Sequence, residues 1–308
     1  MRNLAGKIFG MLFVVILACV ILPACSPAES SEGVQIVTTS FPAYDFARTL
    51  TKDCDDVSVR LLLSPGTESH SYDPSAADMM AVHDADLFIY IGGDADAWAE
   101  PMIRAGGETL KVFALTECVP LLKDEEHGEI DPHVWTSPEN AITIVKRLSN
   151  VLCTLPDMTE AHVNQIKAAS ETFAAELQDL DADFTAFFDS LPEEKRLLVF
   201  GDRFPFRYFA KHYDIAYLSA FPGCAHESEP SANTVMELID TVRNQSVSTV
   251  FYVEFSEHRI ADTIAAETGA ATALFHSCHN VTKEEFAQGA TYLSLMRDNL
   301  ERLETSIR

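Results

Sequence analysis

The chain has no Cys-x-x-Cys pair, no Gly-x-x-x-x-Gly-Lys phosphate loop and no His-Glu-x-x-His. The first absence excludes a zinc ribbon and a thioredoxin-type redox pair. The second excludes a nucleotide-driven motor, and the third excludes the usual helix of a zinc protease. Basic residues are scarce: 22 Lys and Arg stand against 47 Asp and Glu, a net charge of −25. So acidic a surface repels nucleic acid and anionic lipid headgroups, and neither is expected as a partner. It draws cations close instead. The apolar run Ile8 to Leu22 is too short to span a bilayer comfortably. Proline and glycine are missing from Asp157 to Ser190, so nothing there breaks a helix.

Arg2 and Lys7 precede that apolar run, the layout of an export signal. Its end, Leu22-Pro23-Ala24-Cys25, resembles the lipobox of bacterial lipoproteins, with Pro23 as the unusual residue. The resemblance implies cleavage before Cys25 and a diacylglyceryl group on its sulfur. The alternative is a plain secretory signal. We therefore expect a signal over 1–24, a polar tether over 25–33, and a protein anchored by lipid on the extracytoplasmic face. Loss of Arg2 and Lys7 takes −25 to −27. Cys54, Cys118, Cys153, Cys224 and Cys278 remain, an odd number for an oxidising compartment. Cys224 and Cys278 both follow strand-like runs and are the expected disulfide, although spacing alone does not fix connectivity.

Short continuous apolar runs alternate with helical patterns twice over. Gln35–Thr39, Val57–Leu63, Leu87–Ile91 and Lys111–Leu115 read as strands of one half. Arg196–Phe200, Ile215–Leu218, Thr249–Val253 and Ala271–Phe275 read as strands of the other. Runs apolar on both faces argue for parallel sheets covered by helices, an α/β fold. The division is an N-terminal lobe over 34–155, a linking helix over 156–192 and a C-terminal lobe over 193–308. Apolar residues from Val163 to Phe188 recur at helical spacing, giving one helix roughly 50 Å long or two broken near Asp181.

Three histidines fall at strand exits, where open parallel sheets bind ligands. His70 follows Ser64-Pro65-Gly66, His133 lies in Asp131-Pro132-His133-Val134-Trp135, and His276 ends Ala273-Leu274-Phe275. Imidazoles delivered from separate strand ends suggest one metal site. The runs Thr38-Thr39-Ser40-Phe41-Pro42, Pro65 to Pro74 and Asp131 to Trp135 resemble the zinc/manganese substrate-binding lipoproteins of ABC transporters (metal-binding cluster A-I). That resemblance covers essentially the whole mature chain. It implies two similar parallel-sheet α/β lobes joined by one long backbone helix, little hinge motion, and a single divalent ion in the interlobe cleft. It implies an ABC permease as partner and no catalysis. A monomer is expected.

In that family two ligands come from each lobe, and His70 and His133 fill the first-lobe positions. The second lobe departs from the pattern. Where a histidine is usual, Gly201-Asp202-Arg203 stands; where a carboxylate is usual, His276-Ser277-Cys278-His279 stands. The expectation is an exchange, with Asp202 as oxygen ligand and His276 as nitrogen ligand. Glu227, Glu229 or water are the alternatives, and Arg203 could pair with Asp202 and remove it from the site. His279 is expected to matter little. Three imidazoles and at most one carboxylate favour zinc over manganese. A surface zinc hydrolase would need a general base that no spacing supports. An adhesin role, sometimes ascribed to such relatives, has no residue-level signal here.

Overall fold

Leu87, Phe88 and Ile89 are all fully buried, which a strand achieves only with layers on both of its faces. The computed structural model describes residues 33–67, 72–93, 96–123, 128, 130–221 and 230–307. The signal, Cys25, His70, Cys224, Glu227 and Glu229 lie outside them. The first half runs β1 (Val34–Thr38), α1 (Phe41–Thr51), β2 (Val57–Leu61), α2 (Ala76–His83), β3 (Leu87–Tyr90), α3 (Ala99–Ala105) and β4 (Lys111–Ala114). Then come α4 (Pro138–Leu152) and α5 (Glu160–Ser190). The second half runs β5 (Leu197–Phe200), α6 (Arg207–His212), β6 (Ala216–Ser219), α7 (Ala232–Asn244), β7 (Thr249–Tyr252), α8 (Arg259–Thr268), β8 (Ala271–Leu274), α9 (Lys283–Ala287) and α10 (Tyr292–Ser306).

Each half holds a four-stranded sheet, ordered β2-β1-β3-β4 and β6-β5-β7-β8, with every pair parallel. The strand order reverses between β1 and β3, and again between β5 and β7. The crevices outside the C-terminal ends of those strands are therefore the binding positions of this topology. One buried carboxylate closes each crevice. Asp96 Oδ2 accepts the Ile91 amide (2.7 Å) and the Thr39 hydroxyl (3.2 Å). Asp202 Oδ2 accepts the Val253 amide (3.2 Å).

Helix α5 is a single helix of 31 residues, about 46 Å long, with no break near Asp181. Thr159 caps it by accepting the His162 amide at 3.1 Å. Ile166, Phe173, Leu177, Leu180, Phe184 and Phe188 face inward along it. They belong to one core that takes in α1 and α4 of the first half together with β5, α6 and α10 of the second. Smaller apolar clusters fill the outer faces of the two sheets, around Phe88 and Val82 in one and around Val250 and Ile264 in the other. Among the described residues, no helix is long and apolar enough to cross a membrane.

Candidate metal centre

Asp131 and His133 stand just before a short helical turn, Val134–Thr136. Pro132 between them restricts Asp131 to an extended backbone, and the side chain of Asp131 folds back on the turn. Its Oδ1 accepts both the His133 amide (2.9 Å) and the His133 Nδ1–H (2.7 Å). A carboxylate can only accept, so Nδ1 carries a hydrogen, which leaves Nε2 as the nitrogen of this ring able to ligate a metal ion when unprotonated. The second half reinforces this arrangement. Tyr208 donates its hydroxyl to the Asp131 carbonyl (2.8 Å), and Arg207 Nε lies 3.8 Å from Asp131 Oδ2. His133 itself is 2% exposed.

The ring that meets His133 is that of His279. Their centroids are 5.7 Å apart, edge to face, and Trp135 packs edge-on against His279 at 5.1 Å. His279 sits on the loop after β8, and that loop is clamped to the first half. Phe41, at the start of α1, donates its amide to the His279 carbonyl (3.1 Å). Trp135 Nε1 donates to the Ser277 carbonyl (2.8 Å). Asn280 donates to the carbonyls of Ser64 (2.9 Å) and Thr67 (2.8 Å), and the Gly66 amide bonds the Val281 carbonyl (2.8 Å). The stem of the His70 loop is thus tied to the two residues that follow His279. His70 lies outside the described residues. Among those described, no group of three His, Cys, Asp or Glu side chains is arranged to hold a metal ion.

His276 stands on the loop after β8. It is 1% exposed and turned into the second half. Asn299 grips its backbone on both sides, accepting the amide and donating to the carbonyl at 2.7 Å each. Nδ1 accepts the Cys278 amide (2.9 Å), and Nε2 faces Glu285 Oε1 at 3.7 Å. Nδ1 is thus engaged, whereas Nε2 is buried with no hydrogen-bond partner among the described residues. The His276 ring, and after it the Thr282 cap, hold the Glu285 carboxyl down at about 2 against its partial burial. Asp202 is committed too. Oδ1 accepts the Arg203 amide (2.8 Å) with Arg203 Nε at 3.9 Å, and Oδ2 serves Val253. The ring beside His133 that the sequence reading did not foresee is that of His279.

Cys224, the expected disulfide partner of Cys278, lies outside the described residues. Cys278 is a free thiol, fully buried in the shared core, and burial pushes its pKa well up.

Several characterised proteins are similar to this chain. The zinc-binding lipoprotein AdcA of Streptococcus pneumoniae R6 is 29% identical over 304 residues, covering 94% of this chain; this chain spans 59% of AdcA. The high-affinity zinc uptake system protein ZnuA of Bacillus subtilis 168 is 28% identical, with 95% of this chain and 96% of ZnuA covered. The crystal structure of the Zn(II)-bound ZnuA-like domain of S. pneumoniae AdcA superposes with a TM-score of 0.73 at 27% identity, over 89% of this chain and 99% of that domain. The whole two-sheet body from residue 36 to 306 matches one family, and the chain belongs to it: zinc-uptake complex component A, periplasmic (ZnuA).

Proposed function

We propose that this chain binds a zinc ion outside the cytoplasmic membrane and delivers it to an ABC permease. The observation that carries the reading is the His133–His279 ring pair, one imidazole from each half, with the His133 ring held through Nδ1 by Asp131. His70, His133 and His279 form the proposed ligand set. Nitrogen-rich coordination suits zinc in a tetrahedral site better than manganese, which prefers more oxygen ligands. The zinc-binding and zinc-uptake names of the similar proteins from Streptococcus and Bacillus support the same cargo. The lipid anchor at Cys25, the permease and the monomeric state belong to this proposal as well.

Chelator-stripped protein should take up about one equivalent of zinc, as expected for a single tetrahedral site. His133→Ala and His279→Ala should each weaken zinc by more than the roughly 10–100-fold typical of outer-shell changes. His276→Ala should leave zinc affinity near that of the parent while lowering Tm, because it strips the partner from Glu285. Titration against a chromophoric chelator reads all three. Full zinc affinity in His279→Ala, or a loss confined to His276→Ala, overturns the ligand set.

A further inference from the structure

The loop that carries His279 is held from two sides. The first half takes its carbonyls, through Phe41 and Trp135. Two of its amides, those of Ser277 and His279, go to one carboxylate, that of Glu254 at the exit of β7. Glu254 Oε2 accepts the Ser277 amide (2.8 Å). Its Oε1 accepts the Ser277 hydroxyl and, at 3.3 Å, the His279 amide. The side chain is only 5% exposed. Between those two amides lies Cys278 with φ 62°, a left-handed conformation unusual for cysteine. Such a residue turns the amides on either side of it into one concavity, which suits an anion. Here the anion is part of the protein. Holding a non-glycine residue left-handed is strained, so the loop needs something to fix it.

We propose that Glu254 is the positioning residue for metal binding in the second half: it fixes the 276–279 loop so that the His279 imidazole stands against His133 and Trp135. This rests on the reading of His279 as a ligand. Glu254 touches no metal; it acts through His279. Glu254→Gln keeps the shape, removes one acceptor and turns an amino group toward the loop amides.

The test measures zinc affinity of the full chain by chelator competition, for E254Q, H279A and E254Q/H279A, with the visible spectrum of the Co(II)-loaded forms. E254Q should lose roughly 10–100-fold in zinc affinity and change the Co(II) spectrum. The double variant should bind no more weakly than H279A alone, because the carboxylate has nothing left to position. Losses that add, as general structural damage would make them, overturn the proposal. So does parental affinity in E254Q while H279A fails. If H279A binds zinc normally, the ligand assignment falls and this inference with it. Should E254Q not fold, S277A replaces it. S277A removes the hydroxyl that donates to Glu254 and accepts the His279 amide (3.2 Å), with a loss of about tenfold or less expected, again absent in the H279A background; no loss at all overturns the proposal.

Discussion

His133 and His276 are both buried imidazoles, and they differ in which nitrogen the protein has already engaged. In His133 the Asp131 carboxylate accepts the Nδ1–H. In His276 a backbone amide takes the Nδ1 lone pair and Glu285 faces the other nitrogen. Sequence spacing cannot separate these cases. Asp131-Pro132-His133 is legible as a ligand motif because its partner is two residues away. His276 and His279 share one tetrapeptide, and the left-handed turn at Cys278 decides which of them faces the cleft. Nothing in the residue type of Cys278 announces that turn. A neighbouring residue shows a sharper steric rule. A Cβ on Gly201 would overlap the backbone of Ala261 in α8. Gly201→Ala should therefore destabilise by about 1–3 kcal/mol, the usual cost of overpacking. A thermal melt equal to the parent's would show that α8 yields freely.

Between elements, polar pins as well as apolar faces fix the geometry. His212 on α6 bridges two other helices: Nε2 to Asp181 of α5 (2.7 Å) and Nδ1 to Glu139 of α4 (3.0 Å). Tyr213 adds its hydroxyl to Asp181 (2.8 Å). Hydrogen bonding to Asp181, with the charges of Asp181 and Glu139, raises the His212 pKa above 6.5 against its burial. Bonds from His212 and Tyr213 lower Asp181 below 3.8 despite desolvation. The raised histidine contributes stability that is full below its unfolded value of about 6.5 and fades as pH climbs through the folded value. The lowered carboxyl contributes stability present above about 3.9 and lost in stronger acid. The Tm deficit of His212→Gln should thus be largest between about pH 4.5 and 6 and shrink toward pH 9. A deficit independent of pH would mean that packing alone holds the joint. Most elements were legible from the alternation of apolar runs with helical patterns. Helix α3 was not: it has seven residues with Pro101 in its first turn, a position that tolerates proline but hides the helical pattern.

At the scale of the whole molecule, two similar sheets share a single core, and α5 is the element common to both. Phe184 on α5 packs against Phe209 (5.0 Å) and Tyr213 (5.5 Å), both in the second half. Both tryptophans, Trp98 and Trp135, stand in the first half. Phe184→Ala should cost about 3–5 kcal/mol. If the core is cooperative, the midpoint seen by tryptophan fluorescence in a denaturant titration falls together with the far-UV CD midpoint. A fluorescence midpoint left unchanged would separate the halves. The doubled β/α order made the two lobes legible in advance. That their cores merge was not legible, because it depends on which faces of α1, α4 and α10 turn toward the same helix.

Helix α5 braces the body as one unbroken strut. On the proposed function, the smallest part that could lift without tearing the interior is the few residues after β8 that Glu254 on one side and Phe41, Trp135 and Asn280 on the other pin down. On that same proposal, a membrane partner drawing metal from the chain would compete for those few hydrogen bonds.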